Sequence, residues 1–435
     1  MRHDTPNDVA CELAKHVPAR LRYVLDPAVG SGALLMPFTK QLREQSSRVF
    51  CVDLDETAIS RLPSALRARL PRSAAYINAD FLSWSHSADL PSFDCIVMNP
   101  PFAAGKPSLR RVVLSRELRR VAADDRFMPL EAAFVCRAVD LLREGGRLLA
   151  VLPCSVVMSQ NTQWLRNLLL GAGAIRFVHE LPPRTFPGVE SRMYLFVFDK
   201  GMPQRKIVLF NHDLADPERL DLWLRKDRLI ERLDFGHHRA FQMLNRLMLH
   251  RRFGWQAVGD VAVVLRGDVG SPQGVTCAVH TSDYDGGFWR RSGRHKKSAV
   301  RRKDHAIRRG DLLVQRVGRD CHRTFGRPTN LETMPCSDCV LLVRPNAPEL
   351  STRLLFSLRA IFELPWAKPL LERGTGASYV SHAGLLKIPV PMRLSECFPK
   401  TYASFVESQR RRSQTASRHA VQYAARALER ICRRD

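Results

Sequence analysis

The chain has 435 residues, 45% of them hydrophobic, and its 68 Lys and Arg outweigh 43 Asp and Glu to leave a formal net charge of +25. That length suits two domains with separate cores, and the balance excludes a broadly disordered chain or an acidic tail while favouring a polyanionic partner such as nucleic acid. No apolar run is long enough to span a bilayer and residues 1–17 lack a signal-peptide core, which predicts a cytoplasmic protein with no membrane partner.

From residue 20 to about 200, short apolar runs alternate with longer helical patterns. Strands are predicted over 24–26, 49–53, 75–79, 94–98, 147–152, 175–180 and 193–198. This rhythm predicts an α/β domain, doubly wound around a largely parallel sheet, in which ligands sit outside the carboxyl ends of the strands.

The first predicted strand ends in Asp26-Pro27-Ala28-Val29-Gly30-Ser31-Gly32, followed by a predicted helix from Ala33. Glycine lets the backbone approach a ligand closely, although a tight structural turn uses the same pattern. The second strand ends in Asp53, an acid able to hold both hydroxyls of a ribose. No Lys follows the glycines, and Gly105-Lys106 lacks upstream glycines, so a phosphate-cradling P-loop is excluded.

The fourth strand ends in Asn99-Pro100-Pro101-Phe102. Consecutive prolines hold the backbone extended and remove two donors, which leaves the Asn side chain and the Pro100 carbonyl as acceptors for a planar amino group. Phe102 offers a face on which the ring bearing that amine could stack. The plainer reading is a turn with a buried Phe. Pro153-Cys154, at a later strand end, raises the alternative of a cysteine nucleophile for methylation at cytosine carbon, though a small buried residue accounts for Cys154 as well.

The segments 26–35 (DPAVGSGALL) and 99–102 (NPPF) resemble, in order, the two signature motifs of gamma-class N6-adenine DNA methyltransferases. Residues 78–82 (NADFL), Thr5-Pro6 with the run from Val9, 141–153 (LLREGGRLLAVLP) and 186–198 (FPGVESRMYLFVF) resemble further motifs of that family. The resemblance covers nearly the whole first 200 residues. It implies a Rossmann-like domain in which Thr5, Pro6, Asp26, Pro27, Ala28, Gly30, Gly32, Asp53, Asp80 and Phe81 bind S-adenosyl-L-methionine. Asn99, Pro100 and Pro101 would then hold the target amine, with Phe102 and Phe186 stacking on a flipped adenine. Protein-amide methyltransferases share an Asn-Pro-Pro motif, usually with Tyr. An RNA or protein-amide methyltransferase, or a catalytically silent DNA-binding specificity or regulatory protein, is therefore the alternative.

Residues 206–250 read as a mixed, charged connecting segment between a catalytic domain at 1–205 and a smaller α+β domain at 251–400 with Gly- and Pro-punctuated short strands. A C-terminal helix is predicted over 401–435, with an apolar stripe at Val421, Ala424, Leu428 and Ile431. Segments 258–267, 309–318 and 374–391 resemble pieces of the target recognition domains of type I restriction specificity subunits. Lys106, Arg110, Arg111, Arg290, Arg291, Arg294, Lys296 and Lys297 are the candidate contacts to the backbone of double-stranded DNA. Cys336 and Cys339 have the spacing of half a zinc site, with Cys321 and His322 upstream, but the other half is irregular and the 11 scattered cysteines read as reduced core thiols, with no metal expected. No nuclease constellation stands out, so any cleavage would belong to a separate restriction endonuclease or defence-system subunit.

Overall fold

The computed structural model describes residues 4–60, 62, 64–87, 89–102, 109–111, 127–189, 191–211, 218–223, 226–267, 276–291, 297–298, 306–374 and 378–434. The chain divides into two compact units, Met1–Phe235 and Gly236–Asp435. None of the described helices is long and apolar enough to cross a membrane.

The first unit is built on one sheet of nine strands: β1 (Tyr23–Asp26), β2 (Arg48–Asp53), β3 (Ala75–Asn78), β4 (Phe93–Met98), β5 (Leu142–Pro153), β6 (Gly173–Glu180), β7 (Met193–Lys200), β8 (Lys206–Asn211) and β9 (Glu218–Trp223). Their order is β9-β8-β6-β7-β5-β4-β1-β2-β3. The run from β5 through β4, β1 and β2 to β3 is parallel, while β7 lies antiparallel between β5 and β6. Helices cover both faces, and the strand residues alternate between two cores. Val24, Val49, Cys51, Cys95 and Val97 face one; Leu25, Phe50, Val52, Ile96 and Met98 face the other. Burial on both sides explains why β4 reads as an almost unbroken apolar run. The polar residue within it, Asp94, accepts the Arg22 and Tyr23 backbone N–H groups, each at 2.8 Å, and tethers the start of β1.

After β1 the chain moves outward to β2 and β3, then returns to the other side of β1 for β4. The order of the strands thus reverses between β1 and β4, and a crevice opens at their carboxyl ends, the place where doubly wound sheets bind ligands.

Three expectations need correction. The run after Gly32 does not enter an α-helix at Ala33: turns lead to a 3-10 helix, Met36–Phe38, and the α-helix occupies only Thr39–Glu44. Pro37 has no N–H to bond back to Ala33, which disfavours an earlier start. Residues 206–250 are not a simple connection, because β8 pairs parallel to β6 and β9 closes that edge, with Ile207 and Leu209 in the core. The C-terminal helix is two helices, Pro399–Arg410 and Gln414–Arg434, separated where Arg412 takes a φ of 53°. The second of them does bury Val421, Ala424 and Leu428, with Ile431 half-buried.

The second unit is mixed. A three-stranded antiparallel sheet, Ala262–Arg266, Val340–Pro345 and Leu312–Gln315, packs in one core with the helix Ser351–Phe362 and the two terminal helices. Of the segments singled out within it, 258–267 folds as a short helix and strand, and 309–318 contains the strand Leu312–Gln315.

Candidate active site

Asp26 ends β1 with 1% of its surface exposed. Burial pushes its carboxyl up to about 8; Asp53 nearby adds to the shift, while the Ala28 N–H, donating to Oδ1 at 3.2 Å, opposes it. The turn that follows needs its glycines, since Gly30 and Gly32 have φ of 55° and 75°. At Gly32 a side chain meets a second obstacle: a Cβ there would lie 2.0 Å from Cδ2 of the buried Leu66, which would have to move.

The turn and the acid of β2 are bonded directly. The Gly30 N–H donates to Asp53 Oδ2 at 2.9 Å, and the Asp55 N–H donates to Oδ1 at 3.0 Å. Each carboxylate oxygen keeps further acceptor capacity, so Asp53 can take two hydroxyl donors while held by the backbone. Asn78, at the end of β3, donates from Nδ2 to the Asp53 and Leu54 carbonyls at 3.1 and 3.0 Å and fixes the chain beyond β2. Asp80 accepts the Leu82 N–H at 2.9 Å at the start of the helix Phe81–Ser87. The Phe81 ring is tilted against Phe134, with centroids 5.0 Å apart.

At the end of β4, Asn99 is half-buried, Pro100 buried and Pro101 exposed. The Asn99 Nδ2 donates to Thr5 Oγ1 at 3.1 Å. Phe102 is half-buried against the core on one face of the sheet.

These groups share one cleft of about 560 Å³, lined by Thr5, 27–31, Asp53, Asp80, Phe81 and 99–102. Of the other expected residues, Asp26 and Gly32 adjoin the lining turn, and Pro6 precedes the helix Asn7–Ala14. Phe186 is a correction. It is 1% exposed, packs within the core that also holds Val97 and Leu195, and is not among the lining residues, so it has no face to offer a base.

Leu54, Leu130 and Phe134 also line the cleft, and sequence reasoning missed them. Leu54 is 70% exposed, a large apolar side chain left in the open beside an acid at a strand end. Its position after Asp53 was a usable signal. Leu130 and Phe134 stand four residues apart on the helix Leu130–Leu141, where an apolar stripe looks the same whether it faces a core or a ligand.

Cys154 is half-buried outside this lining, its Sγ 3.4 Å from Ser191 Oγ. Of the basic candidates, Lys106, Arg294 and Lys296 lie outside the described residues, and for Arg110, Arg111 and Lys297 only the backbone is described. Arg290 stands over the Phe288 ring at 5.4 Å and lies 3.8 Å from Asp285, so its guanidinium is engaged within its own fold; Arg291 is exposed. In the second unit Cys336 is buried in a small apolar core, and the Cys339 Sγ lies 3.5 Å from Asp338 Oδ1. Asp320, His322 and Glu372 do converge there, but the Lys368 ammonium, 2.8 Å from Asp320 and 3.7 Å from Glu372, supplies the positive charge those carboxylates would otherwise seek in a cation.

The model of the N-6 DNA Methylase family matches residues 3–228, over half of the chain. The chain belongs to that family. It is similar to the type II methyltransferase M.TthHB8I of Thermus thermophilus, 28% identical over 186 residues that make up 41% of this chain and 40% of the relative. It is also similar to the type II methyltransferase M.HincII of Haemophilus influenzae, 25% identical over 150 residues, or 32% of this chain and 28% of that one. The match thus spans well under half the length of either relative. Among solved structures, the type IIG restriction endonuclease BpuSI aligns over 99% of this chain and 65% of its own, with 13% identity and a TM-score of 0.47. A modification subunit of a putative type I restriction enzyme from Vibrio vulnificus aligns over 48% of this chain and 47% of its own, with 19% identity and a TM-score of 0.41. In this member of the N-6 DNA methylase family, the matched region contains the entire cleft.

Proposed function

We propose that the chain is an S-adenosyl-L-methionine-dependent DNA adenine N6-methyltransferase. The observation that carries this reading is that the glycine turn with its bonded acid and the Asn-Pro-Pro-Phe corner open into one cleft. The residues fit the cofactor: Asp53 suits two ribose hydroxyls, the exposed Leu54 presents apolar surface to a purine with the largely buried Phe81 also in the lining, and Asp80 suits its amino group. Gly30 lets backbone approach the ligand where a side chain would obstruct it.

When bound, the cofactor supplies an electrophilic methyl group on its sulfonium. The protein's own task is then to present a nitrogen lone pair in line with that carbon. The Asn99 side-chain oxygen and the Pro100 carbonyl accept the two N–H bonds of the target amine, drawing the nitrogen away from conjugation with its ring and stabilising the positive charge it acquires. Phe102 gives the extruded base a stacking surface. No covalent nucleophile is needed, in keeping with Cys154 lying outside the cleft lining.

In this reading double-stranded DNA is the substrate, the second unit serves as a target recognition domain, and exposed basic residues such as Arg291 meet phosphates. A separate restriction endonuclease or defence-system subunit is the expected companion. Sequencing the DNA of an expressing host for N6-methyladenine tests the whole reading, with Asn99→Ala as control. Methylated adenine should appear with the wild type and fall by about two or more orders of magnitude with the variant, which loses an acceptor used mainly in the transition state. Unmodified DNA, together with no calorimetric binding of S-adenosyl-L-methionine, would overturn it.

A further inference from the structure

The Asn99 carboxamide has two ends of nearly equal size and opposite character. Its oxygen accepts hydrogen bonds and its nitrogen donates them, and a half-turn about the terminal bond exchanges the two with little steric consequence. An amine that must give up its N–H bonds needs the oxygen end. A flipped amide would oppose donor to donor.

Only hydrogen bonding tells the two orientations apart: Asn99 Nδ2 donates to Thr5 Oγ1 at 3.1 Å across 94 positions of sequence, and because a hydroxyl can serve either end of an amide, that bond selects one orientation when the hydroxyl's own proton is committed elsewhere. Thr5 is itself well placed to act as a reference point. It precedes Pro6, which restricts it to extended backbone. Pro6 leads into the helix Asn7–Ala14, whose Val9, Ala10 and Leu13 are buried in the same core as Val24 and Val97 of β1 and β4. The hydroxyl and the carboxamide are therefore held on elements that pack together.

We propose that Thr5 is a positioning residue: with its own proton donated toward the bound cofactor, its hydroxyl oxygen can only accept from Asn99, so that the oxygen end of the carboxamide is presented to the target amine. This deepens the proposed function and rests on it. Thr5 also lines the cleft, and a hydroxyl that accepts from Asn99 still has its own proton to donate. Donated toward a bound cofactor, that proton is no longer open to the amide oxygen, so cofactor binding and amide orientation support each other.

The test compares wild type, Thr5→Val and Thr5→Ser. Val keeps the shape and removes the acceptor; Ser restores it. With S-adenosyl-L-methionine saturating, single-turnover methyl transfer to an adenine-containing duplex should slow roughly 3- to 10-fold in Thr5→Val, the range expected for one net hydrogen bond, and stay within about 2-fold of wild type in Thr5→Ser. Equal rates in Val and wild type, equal losses in Val and Ser, or a Val defect confined to cofactor affinity by calorimetry would each overturn the proposal. A second readout needs neither cofactor nor activity. In protein labelled with ¹⁵N-asparagine, the Asn99 side-chain amide, identified by its loss in Asn99→Asp, should exchange with water several-fold faster in Thr5→Val than in wild type or Thr5→Ser. Equal exchange in all three chains refutes the orienting bond itself. An inactive wild type with a protected Asn99 amide refutes the methyltransferase reading while the bond to Thr5 stands.

Discussion

Asp26→Asn isolates a buried charge beneath the cleft. The native carboxyl is 1% exposed and titrates at about 8, against 3.8 for an ordinary aspartate, chiefly because burial strips the anion of water. The folded chain therefore holds a proton that the unfolded chain releases. The Asp26 contribution to stability is complete below about pH 4, falls as pH rises from about 4 to about 8, and levels off above that. At about 1.4 kcal/mol for each tenfold change in proton affinity, the loss across that window is on the order of 5 kcal/mol. Asparagine matches the neutral acid in shape and retains an oxygen for the Ala28 N–H, yet it does not titrate. Its advantage over wild type should be small at pH 4.5 and several kcal/mol at pH 8. Urea unfolding of both proteins at a series of pH values reads this directly, because every other titrating group is common to the two and cancels in the difference. Parallel pH profiles would refute the reasoning.

Other expectations follow from single contacts. Arg166 is fully buried and its guanidinium donates to the carbonyls of Ile230, Val156, Ser159 and Glu231 at 2.7–3.0 Å. Arg166→Met should cost roughly 3–5 kcal/mol in chemical denaturation, since those acceptors lose their donor together. Glu372 sits at about 2 although burial alone would raise it, because hydrogen bonds from the His322 ring and backbone N–H and the charge of Lys368 outweigh burial. Its contribution is present above about pH 4.5 and is lost as pH falls toward 2, so Glu372→Gln should flatten the acid limb of melting temperature against pH. Phe102→Ala should slow methyl transfer, costing about 1–3 kcal/mol of base stacking, and, because the ring is only half-buried against the core, lower the melting temperature less than Phe186→Ala. Phe186→Ala should lower stability by about 3–5 kcal/mol through the cavity it opens and leave base stacking untouched.

How much of this could be read in advance depended on whether a residue's neighbours in sequence are also its neighbours in space. The central strands of the parallel run were legible because they are buried on both faces, and their ends carried the glycines, Asp53 and Asn99 close enough in sequence to form recognisable motifs. The last two strands of the sheet, Lys206–Asn211 and the edge strand Glu218–Trp223, were not. They lie among charged residues; Lys206–Asn211 finds its partner in β6, and Glu218–Trp223 pairs in turn with Lys206–Asn211. Gln414–Arg434 was legible as an amphipathic stripe, whereas the break before it rests on one positive φ at an arginine, which no local pattern announces.

In the cleft the same distinction separates what a side chain is from where it points. Two phenylalanines, Phe102 and Phe186, were candidates for stacking on a base. Phe102 follows two prolines at a strand end, so the extended backbone holds it at the mouth of the crevice; Phe186 lies in a turn that folds back onto the sheet and is consumed by the core. Conversely, Leu130 and Phe134 belong to a helix that would be apolar in any case, and only the reversal of strand order between β1 and β4 leaves one end of it facing open space. The bond from Asn99 to Thr5 is the extreme case, since each residue is chemically ordinary alone and its meaning arises from a fold that brings together positions 94 apart. Chemistry carried by contiguous motifs is therefore visible in the sequence, and the groups that aim it become visible once the sheet is wound.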